Sequence, residues 1–307
     1  PSNRTSELPM LDVDHRALVS RADLIYHSPA ATPLEGHPLG NGRMGTMVWT
    51  TPGTVCLQIN RCDVYAVNKH HDGRQGGDTD YCGGCAQVSI ELGGEPFQAS
   101  EVFLQRLSLY DAECTIVGLD VRIRCFLSAA ADILSLEVDD QRAHPQPVRV
   151  TVSMWRPPVL QTGAHQAMYQ FRDASDHVLL VQQFDEHDHH CASGVAAAIL
   201  GPDVQVEETS ERARTLVSPQ RQGETEILVT SSASWCRQVD AAVAALHLLE
   251  QASGQACNIR RQEHSRWWAS FWSRTFVHLT STDGNADFME RIRTLHLYAM
   301  AATSRGM

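Results

Sequence analysis

The first signal in the chain is a change of period. From residue 23 to about 235, short runs alternate polar and apolar residues, or are rich in Val, Ile and Leu, between clusters of Gly, Pro, Asp and Ser. That pattern predicts β-strands, with the best candidates over residues 45–50, 54–59, 87–92, 101–109, 114–119, 121–127, 133–138, 148–154, 167–171, 178–183, 194–200, 204–208, 214–217 and 226–231. Arg122 and Arg124 alternate with Val121, Ile123 and Cys125, as on a strand with one wet face. Strand following strand, with turns and no interleaved helices, predicts a mainly β fold of packed antiparallel sheets, a large sandwich.

Past residue 237 the spacing becomes helical. Val239, Val243, Leu246 and Leu249 repeat over 238–252, ahead of Gly254. Asn258 is a candidate N-cap for a helix bearing His264, Trp267, Trp268, Phe271 and Trp272 at i, i+3, i+4, i+7 and i+8. After an extended piece at 275–279 and a polar break at 281–285, a third helix puts Phe288, Ile292, Leu295 and Ala299 on one face. Met289, His296 and Met300 lie beside them, and the helix is expected to run to Gly306 and Met307. A helix apolar round so much of its circumference calls for burial on several sides. Either it packs in a homo-oligomer or the chain is cut at the first helix of a helical domain, and the second expectation is preferred. The division expected is an N-terminal segment (1–20), a β-sandwich (21–236), a helical linker (237–280) and the truncated start of a helical domain (281–307).

Composition narrows the classes. A net charge of −11 lacks the basic footprint that nucleic-acid binding needs. No apolar run is as long as a membrane span, and no basic segment followed by an apolar one marks a secretory leader. Nine cysteines, an odd number in a long chain, do not outline a disulfide framework. Cys56, Cys114 and Cys125 sit within strand-like runs, where small buried thiols are expected.

Four places offer chemistry. Gly40, Gly42 and Gly45 surround Asn41 and Arg43 in a stretch, 33–49, expected to be a shaped loop feeding a strand. A phosphate-cradling loop would need a helix after it, and Met47, Val48 and Trp49 read as strand. Cys82 and Cys85 form a C-x-x-C that could close a zinc site with two of His187, His189 and Cys191, although a Gly-Gly turn with incidental cysteines beside a His-rich hairpin loop is the stronger reading, and no metal is assigned. The His-rich stretch 68–78 is a polar loop of the kind that holds binding residues or merely varies. The tryptophans at 267, 268 and 272 suit a helix-to-sheet core better than a sugar-stacking surface. No nucleophile elbow and no H-E-x-x-H is present. No carboxylate pair stands out for glycosidic cleavage, so no catalytic residue and no cofactor is assigned.

The order of motifs adds a resemblance. Residues 38–48, with Gly40, Asn41, Gly42 and Gly45, followed by Leu57, Asn60, Asp63 and Tyr65, resemble the N-terminal domain of family 95-type glycoside hydrolases. These are α-L-fucosidase-like enzymes, related more distantly to the family 65 group, and the likeness is nearest to a branch of N-terminal domains of unknown function. Residues 125–134, 264–274 and 297–306 resemble later pieces of the same layout. The resemblance implies a β-supersandwich, a helical linker and an (α/α)6 barrel that carries the catalytic carboxylate, with nearly all of that barrel beyond this chain. It implies a glycan substrate met through that barrel, with His37, Asn41, Arg43 and Asp63 on the rim facing it. The alternative, that the glycines and Asn41 only shape a turn, stays open. Cys62, the Cys82/Cys85 pair and the 185–191 stretch depart from the fucosidase pattern. The rival readings are a carbohydrate-binding or assembly module and a zinc-bearing β domain.

Overall fold

The alternating runs become two antiparallel sheets. The structure, a computed structural model, describes residues 13–66, 83–162, 165–220 and 222–305. In chain order its strands begin β1 (Leu24–Tyr26), β2 (His37–Gly40), β3 (Met44–Thr50), β4 (Thr54–Arg61), β5 (Gly84–Glu91) and β6 (Leu104–Ser108). Next come β7 (Glu113–Gly118), β8 (Val121–Leu127), β9 (Ile133–Asp140), β10 (Arg149–Ser153), β11 (Val159–Thr162) and β12 (His165–Arg172). The last are β13 (Val178–Glu186), β14 (His189–Leu200), β15 (Gln205–Ser210), β16 (Ala213–Val217) and β17 (Gly223–Ser234).

One sheet has ten strands in the order β1-β6-β7-β8-β9-β17-β14-β13-β12-β11, and the other has seven, in the order β15-β16-β10-β5-β4-β3-β2. The inward residues of the two sheets meet in one continuous core that includes Leu57, Ile59, Ile90, Val150, Ile123 and Leu136. Burying such side chains is the main favourable term in folding, and the strict in-out alternation of β3, β4 and β7 follows from it. The fold is therefore mainly β, two large antiparallel sheets with few helices.

Three strands were not legible in the sequence: β1, β2 and β11, all at or beside sheet edges and only three or four residues long. The most consequential is β2. The stretch expected to be a loop is a β-hairpin in which Gly40 pairs with Gly45, and only Asn41, Gly42 and Arg43 turn the chain.

Four helices accompany the sheets among the described residues: α1 (His15–Ser20), α2 (Ala241–Ser253), α3 (Cys257–Trp272) and α4 (Asn285–Thr303). None of them is long and apolar enough to cross a membrane. The α2 periodicity holds in part: Leu249 is buried and Leu246 packs against the core, but Val239 and Val243 are exposed, and the rest of the buried face is Ala241, Ala242, Ala245 and Ala252. Small residues win because the helix lies directly on β14 and β17, where a Cβ on Gly194 would stand 2.3 Å from the Ala241 carbonyl oxygen. In α3 the cap is Ala256, with no capping side chain, and not Asn258. The expected aromatic row does face the core, with Trp268 and Trp272 fully buried and the Trp272 indole N–H donating to the Leu109 carbonyl at 3.0 Å. Helix α4 ends at Thr303, and Gly306 and Met307 lie outside the described residues.

Candidate functional site

The hairpin turn between β2 and β3 is held by its own asparagine. The Asn41 Oδ1 accepts from the N–H groups of Arg43 at 3.0 Å and Met44 at 2.9 Å, which closes an Asx-type turn. Gly42 takes φ +87°, a left-handed conformation that glycine adopts without strain. The Asn41 amide N–H groups reach the other sheet, donating to Asp132 Oδ1 at 2.9 Å and to the Ala131 carbonyl at 3.0 Å.

Asp132, in the turn between β8 and β9, gathers the charges of this end of the sandwich. Its Oδ2 accepts from Arg43 Nε at 2.7 Å and from an Arg61 terminal nitrogen at 2.9 Å. Arg61, the last residue of β4, also donates to the Ser231 carbonyl at 2.9 Å and grips Asp63 with two parallel bonds of 2.8 Å. Two arginines and two aspartates thus balance across the two sheets. Burial alone would raise the Asp132 pKa, but the Arg43 hydrogen bond, the Arg61 charge and Asn41 hold it below the ordinary carboxylate range. For Arg61, burial works against the cation, and Asp63 and Asp132 overcome it to keep the pKa raised.

The end of α4 is clamped onto this hairpin. The Gly42 N–H donates to the Ala302 carbonyl at 2.8 Å, and the Tyr298 hydroxyl to the Pro38 carbonyl at 2.7 Å. A Cβ on Gly40 would lie 2.2 Å from the Ala302 carbonyl oxygen. The Arg305 guanidinium lies over Trp267, 3.7 Å from the ring centre, and donates to the Ala129 carbonyl at 2.8 Å. Here the glycines serve close approach of a helix, a role that sequence spacing does not reveal. Beside the clamp a cleft of about 370 Å³ opens between β3, β4 and the end of α4, lined by Arg43, Asn60, Arg61, Cys62 and Thr303 among others.

Three of the four rim residues named from the sequence come together. Arg43 has half of its side chain exposed and Asp63 about a third (51% and 30%), while Asn41 is buried as their brace. His37 is elsewhere: its ring is wholly buried, 4.5 Å from that of Tyr26, with Nδ1 3.7 Å from the Cys114 sulfur. Burial pushes its pKa down to about 4, so no face of it is open to a ligand in this chain. Sequence reasoning missed Arg61 and Asp132 as partners, because Asp132 stands 91 residues from Asn41 and nothing in its local pattern marks it.

The zinc candidates divide. Cys82 and the 68–78 stretch lie outside the described residues. Cys85 and Cys191 are buried, and the Cys85 thiol is pushed up to about 12 by burial. His189 spends its Nε2–H on the Tyr65 carbonyl at 3.1 Å. Among the described residues no group of three or more His, Cys, Asp or Glu side chains is gathered to hold a metal. Cys114 and Cys125 are the buried thiols expected, whereas Cys56 is only partly buried.

A two-sheet antiparallel sandwich with a helical extension docked on its end hairpin defines a β-sandwich domain class. Within that class, the chain belongs to the family described as Domain of unknown function (DUF5703), which matches residues 25–198. No curated protein matches the chain in sequence. Its fold is shared by a solved structure described as a candidate kojibiose phosphorylase from the human microbiome, at 12% identity and a TM-score of 0.55, over 92% of this chain and 42% of that one. It is shared too by the gh92 family glycosyl hydrolase ccman5, at 13% identity and a TM-score of 0.51, over 94% of this chain and 41% of that one. The chain thus spans about two-fifths of the length of these structures. At such identities the likeness is one of fold, and a specific tie to family 95 is not shown.

Proposed function

We propose that this chain is the non-catalytic sandwich and linker of a glycan-active enzyme, with the catalytic residues in a helical domain outside residues 1–307. The observation that carries the reading is the exposed apolar face of α4. Its buried face mixes Glu290 and Thr294 with Tyr298, Ala301 and Ala302, which join the core of the sandwich, while Phe288, Met289, Ile292 and Met300 are 47–61% exposed. A helix that only closed the sandwich would not leave four large apolar side chains on its outer face. A further helical layer laid over those four side chains fits their chemistry.

The fold shared with a phosphorylase-like protein and a glycosyl hydrolase supports the glycan class. In this reading residues 21–236 are the sandwich, 237–280 the linker and 281–307 the start of the helical layer. Asn41, Arg43 and Asp63 stand at the seam: Arg43 and Asp63 offer a donor and an acceptor to sugar hydroxyls, and Asn41 fixes the turn that presents them. The partner is a glycan, not a nucleic acid or a membrane, and no cofactor is called for.

The test is turnover of aryl-glycosides and disaccharides, measured on this chain and on the protein extended along its gene. The chain alone is expected to be inactive and the extended protein active. Cleavage by the chain alone at an enzymatic rate would overturn the reading, as would an extended protein that neither turns over nor binds any glycan.

A further inference from the structure

Next to Asp63 the same end of the sandwich carries an aromatic group that the charge cluster does not use. Trp235, just past β17, is 53% exposed, while Trp268 and Trp272 are buried. A lone exposed indole is ordinary on a protein surface. This one is neither alone nor free to swing.

The Trp235 Nε1–H donates to the Asp63 main-chain carbonyl at 3.0 Å, and the indole meets the Tyr65 ring edge to face at 5.4 Å. Tyr65 stacks in turn on His189, with ring centres 5.7 Å apart and planes 21° from parallel. His189 Nε2–H is tied back to the Tyr65 carbonyl at 3.1 Å. The chain past β4, the start of β14 and the exit of β17 therefore fix one another through three rings.

A polar group flanks the rings. On one side is the Asp63 carboxylate, partly open and held bidentately by Arg61. In sequence, Arg237 lies two residues beyond Trp235 and pairs with Asp185 at 2.6 Å, with 54% of its side chain exposed. Asp185 also accepts from His190 Nδ1–H at 2.9 Å.

A pyranose presents a face of C–H groups, which packs on a flat ring, and a rim of hydroxyls, which need fixed acceptors and donors beside that ring. Ligand sites combine apolar walls with a few placed polar groups in this way, and a ring already immobilised loses little freedom on binding. An aliphatic partner surface would not match the Asp63 carboxylate. The Asp63 carboxylate and a net charge of −11 also oppose an anionic sugar.

We propose that Trp235, backed by Tyr65 and His189 and edged by Asp63, is a stacking site for a neutral hexopyranose unit of a glycan. It rests on the glycan reading above and adds to it a place on the sandwich and a ligand class.

The experiment is calorimetric and fluorescence titration of the chain with neutral α- and β-linked disaccharides of glucose and mannose, beside Trp235→Ala and Trp235→Phe. An exposed side chain can be cut back without loss of fold, which circular dichroism would verify. Binding by the parent, about tenfold weaker in Trp235→Ala and retained within about threefold in Trp235→Phe, is the result expected of a ring that stacks. Equal binding by Trp235→Ala would overturn the site and leave the glycan reading standing, because the sugar would then sit elsewhere. No binding of any disaccharide by the parent would overturn the site too, and turnover by the extended protein would still judge the wider reading separately.

Discussion

At the end of β4, Arg61 makes five hydrogen bonds from a nearly waterless position: two to Asp63, one to Asp132 and two to Ser231. Because Asp132 and Ser231 belong to the other sheet, this side chain ties the two sheets together at the end where the hairpin sits. Removing one member of a buried ion pair leaves the other charge uncompensated. Arg61→Ala should therefore cost about 3–5 kcal/mol in urea unfolding, and a loss no larger than that of a surface ion pair would show that the cluster is not a brace. The titrations have opposite signs to keep apart. Asp132 is depressed, so its stabilisation is present above its unfolded pKa of about 4 and is lost only as the pH falls through the lower folded value. His37 and His264 are pushed down to about 4 by burial. Between their unfolded value of about 6.5 and that folded value, the unfolded chain takes up protons that the folded one refuses. Stability should thus fall as the pH drops across that window. His37→Leu should shrink the difference in urea midpoint between pH 7 and pH 5 without abolishing it, since His264 still titrates. An unchanged difference would mean that His37 does not contribute.

Elements meet in this protein where side chains are absent. Helix α2 reaches the large sheet over Gly194, and α4 reaches the β2–β3 hairpin over Gly40 and Gly42. At Gly40 the obstacle to an added atom is backbone, the Ala302 carbonyl, which cannot rotate aside as a flexible side-chain tip would. Gly40→Ala should therefore lift the end of α4, at a cost of about 1–3 kcal/mol by overpacking. Hydrogen exchange should show faster exchange over the last turns of α4, with β8, β9 and β17 unchanged. Equal protection of α4 in parent and variant would show that the clamp does not hold the helix. The same close packing explains why the valine spacing of α2 misleads: where a helix lies directly on a sheet, alanine is the residue that fits.

Across the whole molecule the unusual surface is α4, which buries Glu290 and Thr294 beside Tyr298, Ala301 and Ala302 and leaves Phe288, Met289, Ile292 and Met300 exposed. Exposed positions contribute little to the chain's own stability. Phe288→Ser with Ile292→Lys should leave its unfolding midpoint within about 0.5 kcal/mol of the parent, while weakening capture of a separately expressed downstream helical segment. A clear loss of stability in the isolated pair of substitutions would instead place that face inside this chain's own fold. Size-exclusion chromatography of the same variant distinguishes self-association from the helical-layer reading, because only a face used between copies would change the oligomeric state of the chain alone.

Much of the architecture was written in local pattern. Alternation of apolar and polar residues is a property of neighbours on one strand, so β3, β4, β7, β8 and β9 were legible one by one, as was the switch to helices after residue 237. The short edge strands were not, since three or four residues carry too little period to stand out. Asn41, Arg43 and Asp63 could be named from the sequence, yet their shared partners could not. Arg61 meets Asp132 across 71 residues and Trp235 meets Asp63 across 172, contacts that exist only once the two sheets have closed. His37 shows the converse: its neighbours in sequence suggested a rim, and the packing of β2 against β7 and β8 put it inside. Local periodicity determined which segments are strands and helices, because it is set by backbone geometry. Which side chains are buried, paired or offered to a ligand was decided by the closure of the sandwich, because burial and charge pairing depend on residues distant in the chain.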